Sequence, residues 1–586
     1  KEYAINTPKS IDFRGKYLCS EKDTLKISGS LDEYSGKIYI DSLDFKVKLT
    51  QEGPHLNLQF ETDEGIYRIN ALIEKQTLIG TGVNPEGQTF DWSAQLIEAF
   101  EELDKAEEDT PNVPSYGETW FPNMAYGWQQ QPTQDNTIFR NATVWTNEDV
   151  GTIDQADVAI SRGKIVKVGV GIVAEEIFKK ESFQEIDAKG MHLTSGIIDE
   201  HSHIAISRGV NEGSQASSAE VSIANVINSD DINIYRQLSG GVTTAQLLHG
   251  SANPIGGQSG IIKFRWGSSP DQMKFEGADG FIKFALGENV KQSNWGDYEK
   301  IRFPQTRMGV EQVFYDHFMR ARAYEKEWQN YNALSLSEKR RTQAPREDLE
   351  MNTLVEILNS ERFITCHSYV QSEINMLMHV ADSMGFTLNT FTHILEGYKV
   401  ADKMKEHGAG ASTFSDWWAY KFEVNDAIPH NAAILSDMGI ITAINSDDAE
   451  MARRLNQEAA KAVKYGGVSQ EEAWKMVTLN PAKLLHLDHR IGSIKSGKDA
   501  DIVLWTDNPL SVYAKVQQTY VDGRCYFDSE KDLKLRLRNS KERARLIQKM
   551  LSDKKAGKPT QVVKEEQRIH YHCDTLEEGK HDNHQH

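Results

Sequence analysis

Short apolar runs separated by polar turns fill the first 95 residues of the chain. Runs such as GKIYIDSLDFKVKL and HLNLQFETDEGIYRINALI alternate between apolar and polar positions and are broken by Gly, Asn and Asp. This pattern is typical of half-buried antiparallel strands. We therefore predict an all-β domain, a meander or a small barrel, over residues 1–95. An acidic stretch followed by prolines then indicates a linker over residues 96–135.

The apolar pattern changes after residue 135. Strand-like runs, among them VTTAQLL, GFIKFAL, RFITCHS and GIITAIN, alternate with amphipathic helical stretches. Such alternation predicts a parallel sheet, and its length suits a TIM-like (β/α)8 barrel of ~250 residues. We predict this α/β barrel over residues 196–490, with a helical insertion over residues 299–352. Residues 528–586 are highly charged and predict a helix followed by a poorly ordered tail.

Composition and charge restrict the partners of the protein. Its 586 residues exceed what a single core usually holds, so several domains are expected. A net charge of −20 argues against nucleic acid, and no apolar run reaches the ~20 residues of a membrane helix. The four cysteines contain no CxxC pair, which excludes a zinc knuckle. The extra β domain and a first residue other than Met favour an exported protein over a cytoplasmic one.

The segment IIDEHSHI carries the strongest chemical signal. Residues two apart on a strand point to the same side, so His201 and His203 can reach one metal ion. Other apolar strands end at His367, His393 and Asp447. Barrel active sites occupy the carboxyl ends of the strands, and we therefore predict that these five residues bind a divalent metal. Zinc suits this donor set and manganese or iron also fits it, as one ion or as two.

The strand GFIKFALGEN contains two further candidate ligands. Beside a crowded cationic site Lys283 can lose its proton, and a neutral amine can capture CO₂ as a carbamate that bridges two metals. Glu288 at the end of the same strand can supply a bridging carboxylate. The alternative for Lys283 is an ion pair with a carboxylate of the barrel.

Two more residues are candidate contacts of a substrate. His249 ends the run VTTAQLLH and precedes the glycine-rich GSANPIGGQSG, whose backbone N–H groups can form an anion-binding nest. An ordinary loop between strand and helix is the alternative for this segment. Tyr369, two residues after His367, can orient a substrate carbonyl.

The ligand pattern resembles that of the amidohydrolase superfamily. Asp199, His201 and His203 are similar to its Asp-x-His-x-His strand, and the Ser-Asp of INSD is similar to its last ligand. The closest likeness is to the imidazolonepropionase-like and dipeptidase-like branch. In the deaminase branch a glutamate stands three residues after the third histidine. Here His367 is followed by SYVQSE, with Val370 at that position, which disfavours a deaminase.

The resemblance covers roughly residues 136–530 and includes NPAKLLHLDHRIGSIKSGKDADIVLW. It implies that residues 136–195 and 491–527 together form one small β-sandwich beside the barrel. The first 130 residues lie outside the resemblance.

These observations predict a hydrolase that cleaves a C–N bond in an amide, a cyclic amide or a dipeptide-like substrate. Asp447 would take a proton from a metal-activated water and pass it to the leaving nitrogen. A deaminase or a lactone or ester hydrolase on the same site, and a non-catalytic barrel scaffold, are the alternatives. We expect a small-molecule or short-peptide substrate, and leave open a homo-oligomer or partner proteins bound through the N-terminal β domain.

Overall fold

The chain divides into two compact units, each built from two separate segments of the sequence. The first contains residues 1–119 and 533–566, and the second contains residues 120–532 and 567–586. Residues 100–118 of the predicted linker and residues 562–586 of the predicted tail lie outside the described part of the chain. The computed structural model describes residues 12–20, 22–29, 34–99, 119–207, 209–291, 302–559 and 561.

The first unit contains an antiparallel barrel of eight strands. Each strand pairs with the next, and β1 pairs with β8 to close the barrel. Alternate side chains point inward, and Leu25, Ile27, Leu56 and Leu78 are fully buried in its core. The all-β domain is thus a closed barrel. Its strands are β1 (Gly15–Leu18), β2 (Thr24–Gly29), β3 (Tyr34–Ile40), β4 (Leu43–Glu52), β5 (His55–Thr62), β6 (Gly65–Glu74), β7 (Thr77–Val83) and β8 (Thr89–Ala99).

One sheet of the second unit is built from the two segments that flank the α/β barrel in the sequence. Its order is β11-β10-β9-β13-β23-β24-β25, with β12 paired to β9. The antiparallel pairing of β13 with β23 joins the two segments in one domain. The strands are β9 (Thr137–Trp145), β10 (Thr152–Ser161), β11 (Lys164–Gly169), β12 (Gln184–Asp187), β13 (His192–Ser195), β23 (Ile502–Trp505), β24 (Val516–Val521) and β25 (Arg524–Asp528).

The strands between these two segments form the α/β barrel. β14 pairs with β15, and β18 to β22 pair in chain order, all of them parallel. The antiparallel strands β16 and β17 lie between these two groups. The predicted α/β barrel class is confirmed. The strands are β14 (Ile197–Ser202), β15 (Val242–Leu247), β16 (Ile255–Gln258), β17 (Gly260–Lys263), β18 (Gly280–Ala285), β19 (Arg362–Ser368), β20 (Thr390–His393), β21 (Gly410–Thr413) and β22 (Thr442–Ile444).

Helices cover the outside of this barrel. The longest helix of the predicted insertion packs its apolar face on the barrel, where Phe314 stacks on Phe284 with centroids 5.5 Å apart. Among the residues described, no helix combines the length and the apolar composition needed to cross a membrane. The described helices of both units are α1 (Ala174–Phe178), α2 (Ile232–Leu238), α3 (Pro270–Met273), α4 (Glu288–Lys291), α5 (Arg307–Ala333), α6 (Leu336–Lys339), α7 (Leu349–Leu358), α8 (Gln371–Met384), α9 (Ala401–His407), α10 (Asn431–Asp437), α11 (Ala449–Ala452), α12 (Leu455–Gly466), α13 (Gln470–Lys475), α14 (Leu479–Leu484) and α15 (Ser529–Lys555).

Candidate metal centre

Four barrel strands bring nitrogen and oxygen donors together at their carboxyl ends. His201 lies on β14 and His393 ends β20, while Asp447 follows β22. One donor atom from each of these three residues lies within 4.8 Å of the other two. His203 joins them, because its Nε2 atom is 3.2 Å from Asp447 Oδ1. Residues far apart in the sequence thus meet at one end of the barrel.

His367 on β19 belongs to the same cluster. Its ring centroid lies 4.7 Å from that of His393. The side chain is fully buried, and neither ring nitrogen has a hydrogen-bond partner among the described residues. Unsatisfied polar atoms in a protein interior are costly. A bound metal ion would satisfy one of these nitrogens, so His367 fits a metal ligand.

Hydrogen bonds fix the orientation of two imidazoles. His203 Nδ1 lies 2.9 Å from the carbonyl oxygen of Leu248, to which it must donate. His201 Nδ1 lies 3.0 Å from the hydroxyl of Thr392, and that hydroxyl donates to Glu200 Oε2 at 3.2 Å. Each Nε2 atom therefore presents a lone pair to the cluster. Burial lowers the pKa of His201 well below its usual value, which favours this neutral form.

The backbone is strained where two of the donors stand. His393 and Asp447 have φ angles of 65° and 53°, in the left-handed region that few side chains adopt. The preceding residue, Ser446, donates from its N–H and its hydroxyl to Asp199, at 3.1 and 2.5 Å. The N–H of Asp447 donates to the carbonyl of His201 at 3.2 Å. These bonds hold the strained segment against the first strand of the barrel.

Asp447 stands among the imidazoles of the cluster. Burial raises the pKa of its carboxyl group, and the positive charge that His203 and His393 carry when they are protonated lowers that pKa by more. A carboxylate among imidazoles supplies both negative charge for a cation and a group that can accept a proton.

The structure brings Lys283 to the cluster and leaves Glu288 outside it. Lys283 is fully buried on β18, with Nζ 3.0 Å from His201 Nε2. Glu288 begins helix α4, and its two carboxylate oxygens form ion pairs with Lys291 and Arg307, each at 3.1 Å. The turn after β18 directs this side chain toward those cations. In this structure, ion pairs with two cations thus engage both carboxylate oxygens of Glu288.

Both ring nitrogens of His249, a predicted substrate contact, form hydrogen bonds within the protein. Its Nδ1 donates to the carbonyl of Gly250 at 2.8 Å, and its Nε2 accepts from the N–H of Glu212 at 2.8 Å. A Cβ atom on Gly256 or Gly257 would lie 3.0 or 2.9 Å from the His249 ring. The glycines of this segment thus permit close packing. Strand β16 occupies part of the segment for which the sequence suggested an anion-binding nest or an ordinary loop.

Aromatic side chains line one side of the cluster. The buried ring of Tyr369 is parallel to that of His393, with centroids 5.6 Å apart, and meets His367 edge-on at 4.6 Å. Phe414 stacks on His393 at 4.6 Å, and Trp417 stacks on Phe414 at 4.3 Å. Tyr369 therefore lies against two imidazoles of the cluster. Phe414 had no signal in the sequence, because a phenylalanine at the end of an apolar run is usually core.

The fold and the cluster together place the protein in a class of α/β barrels that gather histidines and an aspartate, a donor set suited to a divalent metal, at the carboxyl ends of their strands. The comparison with protein families agrees with this class. The model of the amidohydrolase family matches residues 193–526. The chain belongs to the amidohydrolase family, as its sequence motifs predicted.

Individual relatives give the same result. The chain is 30% identical over 431 residues to amidohydrolase tasK of Hapsidospora irregularis, and 28% identical over 172 residues to an imidazolonepropionase of Thermoplasma volcanium. These matches cover 67% and 28% of this chain, and only 43% and 42% of the two relatives. The crystal structure of an amidohydrolase from Thermotoga maritima is 30% identical, with a TM-score of 0.60. That likeness covers 67% of this chain and 100% of the other.

Proposed function

We propose that this protein is a metal-dependent hydrolase of C–N bonds in an amide, a cyclic amide or a dipeptide-like substrate. One observation carries the proposal: the buried donor atoms of four histidines and Asp447 converge where barrel enzymes place their active sites. Membership of the amidohydrolase family supports it.

The donor set fits a divalent metal. His201, His203, His367, His393 and Asp447 would hold it, and zinc suits such nitrogen and oxygen donors, with manganese or iron as other candidates. When bound, the metal would polarise the substrate carbonyl and lower the pKa of a water molecule. The orphaned nitrogens of His367 are the observation that favours an ion at this position.

Lys283 is proposed as a further ligand in a modified form. Its Nζ atom lies among the donors, 3.0 Å from His201 Nε2. Addition of the neutral amine nitrogen to CO₂, with loss of one proton from that nitrogen, would give a carbamate whose single negative charge is shared by two oxygens. Incorporation of isotopically labelled CO₂, followed by NMR of wild type and Lys283→Ala, tests this modification.

Asp447 is the proposed proton carrier. Its carboxylate would accept a proton from the attacking water while the water oxygen bonds to the carbonyl carbon. The same carboxyl group would then protonate the leaving nitrogen as the C–N bond breaks, giving a carboxylic acid and an amine. The buried surroundings of Asp447 keep bulk water from this proton.

Elemental analysis and a substrate screen test the proposal together. We expect a stoichiometric divalent metal, and hydrolysis within a panel of dipeptides, N-acyl amino acids and cyclic amides. Asp447→Asn should abolish turnover with the fold intact. Asp448→Asn is the matched control, since Asp448 caps helix α11 and asparagine caps helices equally well. A metal-free protein without activity would favour the scaffold alternative.

A further inference from the structure

The loop after β21 places a cation beside the metal centre. Lys421 Nζ lies 4.1 Å from the centroid of the Tyr369 ring, where an ammonium group is attracted to the aromatic face. The same ring contacts His367 and His393. One aromatic ring therefore separates Lys421 from the donors of the cluster.

The negative charge next to Lys421 is shared with other donors. Lys421 Nζ pairs with Glu423 Oε1 at 3.0 Å. Glu423 Oε2 accepts the backbone N–H of Glu288 at 2.9 Å and lies 3.8 Å from the guanidinium of Arg307. Three donors thus share the Glu423 carboxylate. An ammonium group has three N–H donors, and 16% of the Lys421 side chain is exposed, so a ligand can reach it.

Large apolar side chains lie on the same loop as this cation, and Lys421 Nζ is 5.7 Å from the centroid of the Tyr420 ring. Trp418 and Tyr420 are 47% and 43% exposed, and Phe422 is 95% exposed. A polar group of one sign among aromatic side chains is typical of small-molecule sites, where the charge orients the ligand and the rings provide contact area. A carboxylate next to an apolar substituent matches this combination of groups.

We propose that Lys421 is a specificity-determining residue that binds a carboxylate of the substrate, while the aromatic loop contacts its apolar substituent. This inference rests on the proposed hydrolase function and narrows its substrates. They are N-acyl amino acids or dipeptides with a free carboxylate and an apolar side chain, rather than neutral cyclic amides.

Binding of two probes without a C–N bond tests Lys421 independently of turnover. We would titrate 3-phenylpropanoate and 3-phenylpropanol into the metal-loaded full chain by calorimetry. Wild type and Lys421→Arg should prefer the acid by about tenfold, equivalent to ~1.4 kcal/mol. Lys421→Gln should bind both probes equally. Because a carboxylate can also bind the metal ion, a preference of wild type for the acid does not by itself support the proposal. The loss of that preference in Lys421→Gln supports it.

Lys399 provides a matched control. It pairs with Asp426 and Glu396, and its Nζ lies 5.7 Å from the Tyr398 ring, as Lys421 lies over Tyr369. Lys399→Gln should keep the preference for the acid. Equal binding of both probes by wild type, or a preference that survives in Lys421→Gln, overturns the inference. A lost preference in Lys421→Gln without any hydrolysis in the substrate panel would support the carboxylate site and refute the hydrolase proposal.

Discussion

His201 and His203 face each other through their Nε2 atoms, which lie 3.2 Å apart. Each ring uses Nδ1 to donate to a fixed partner, Thr392 or Leu248. The two Nε2 lone pairs therefore point into the same space beside the Asp447 carboxylate. Lone pairs at this distance repel each other, and a cation between them converts repulsion into attraction. The histidine pair is thus arranged for a metal ion.

Removal of the metal should destabilise the barrel. A ligand that binds only the folded state stabilises it by mass action, and without the ion the Nε2 lone pairs of His201 and His203 repel. We expect a chelator to lower the thermal midpoint by several degrees, with recovery on addition of zinc. Calorimetry of the chelated and reloaded protein measures this change. An unchanged midpoint in protein shown to be metal-free would contradict it.

The metal content of two variants should distinguish the role of His367 from that of Glu288. His367→Ala removes a buried imidazole of the cluster, so we expect a lower metal-to-protein ratio by elemental analysis after dialysis. Glu288→Gln removes an ion-pair partner of Arg307 and Lys291, and its ratio should equal that of wild type. Loss of metal from Glu288→Gln alone would place that carboxylate among the ligands after all.

Thr392 should act on metal affinity through His201. Its hydroxyl accepts a hydrogen bond from the Nδ1–H of His201 and donates one to the carboxyl group of Glu200. Loss of such a partner of a ligand commonly costs 10- to 100-fold in metal affinity. We expect about this loss for Thr392→Val and recovery in Thr392→Ser, measured by competition with a chromophoric chelator. Equal affinity of the valine variant would show that His201 needs no partner.

The sequence could predict the histidines because each ends an apolar run, and parallel strands of a barrel end on the same side. The same rule selected Glu288, whose carboxylate forms ion pairs with Lys291 and Arg307 in the structure. It also follows an apolar strand, but a side chain in the first turn of a helix points where the turn directs it, here toward Arg307. No feature of the sequence indicated a role for Thr392, because its role depends on a contact between strands β14 and β20. Strand ends are visible in a sequence, whereas side-chain directions and contacts between distant strands are set by tertiary packing.

Lys263 should be essential for the stability of the second unit at neutral pH. Its fully buried Nζ contacts Asp499, Asp501 and Asp522 at 2.8, 3.0 and 2.5 Å. Lys263→Met leaves these carboxylates without their shared cation, and breaking a buried ion pair on one side costs ~3–5 kcal/mol. Lys164→Met is the control. Lys164 also binds Asp499 but its side chain is 47% exposed, so its loss should cost less than ~1 kcal/mol.

The difference between wild type and Lys263→Met should depend on pH. Burial would raise the pKa of Asp499, but Lys263 and its other basic neighbours lower it from 3.8 to about 2. A carboxyl group with a lowered pKa in the folded state adds stability above its unfolded pKa, and this contribution is lost as pH falls. Denaturation at pH 7 should therefore show the full cost of Lys263→Met, and the gap should narrow as pH falls from 3.8 toward 2. A gap that is constant down to pH 2 would mean that packing of the lysine stem, rather than its charge, stabilises this site.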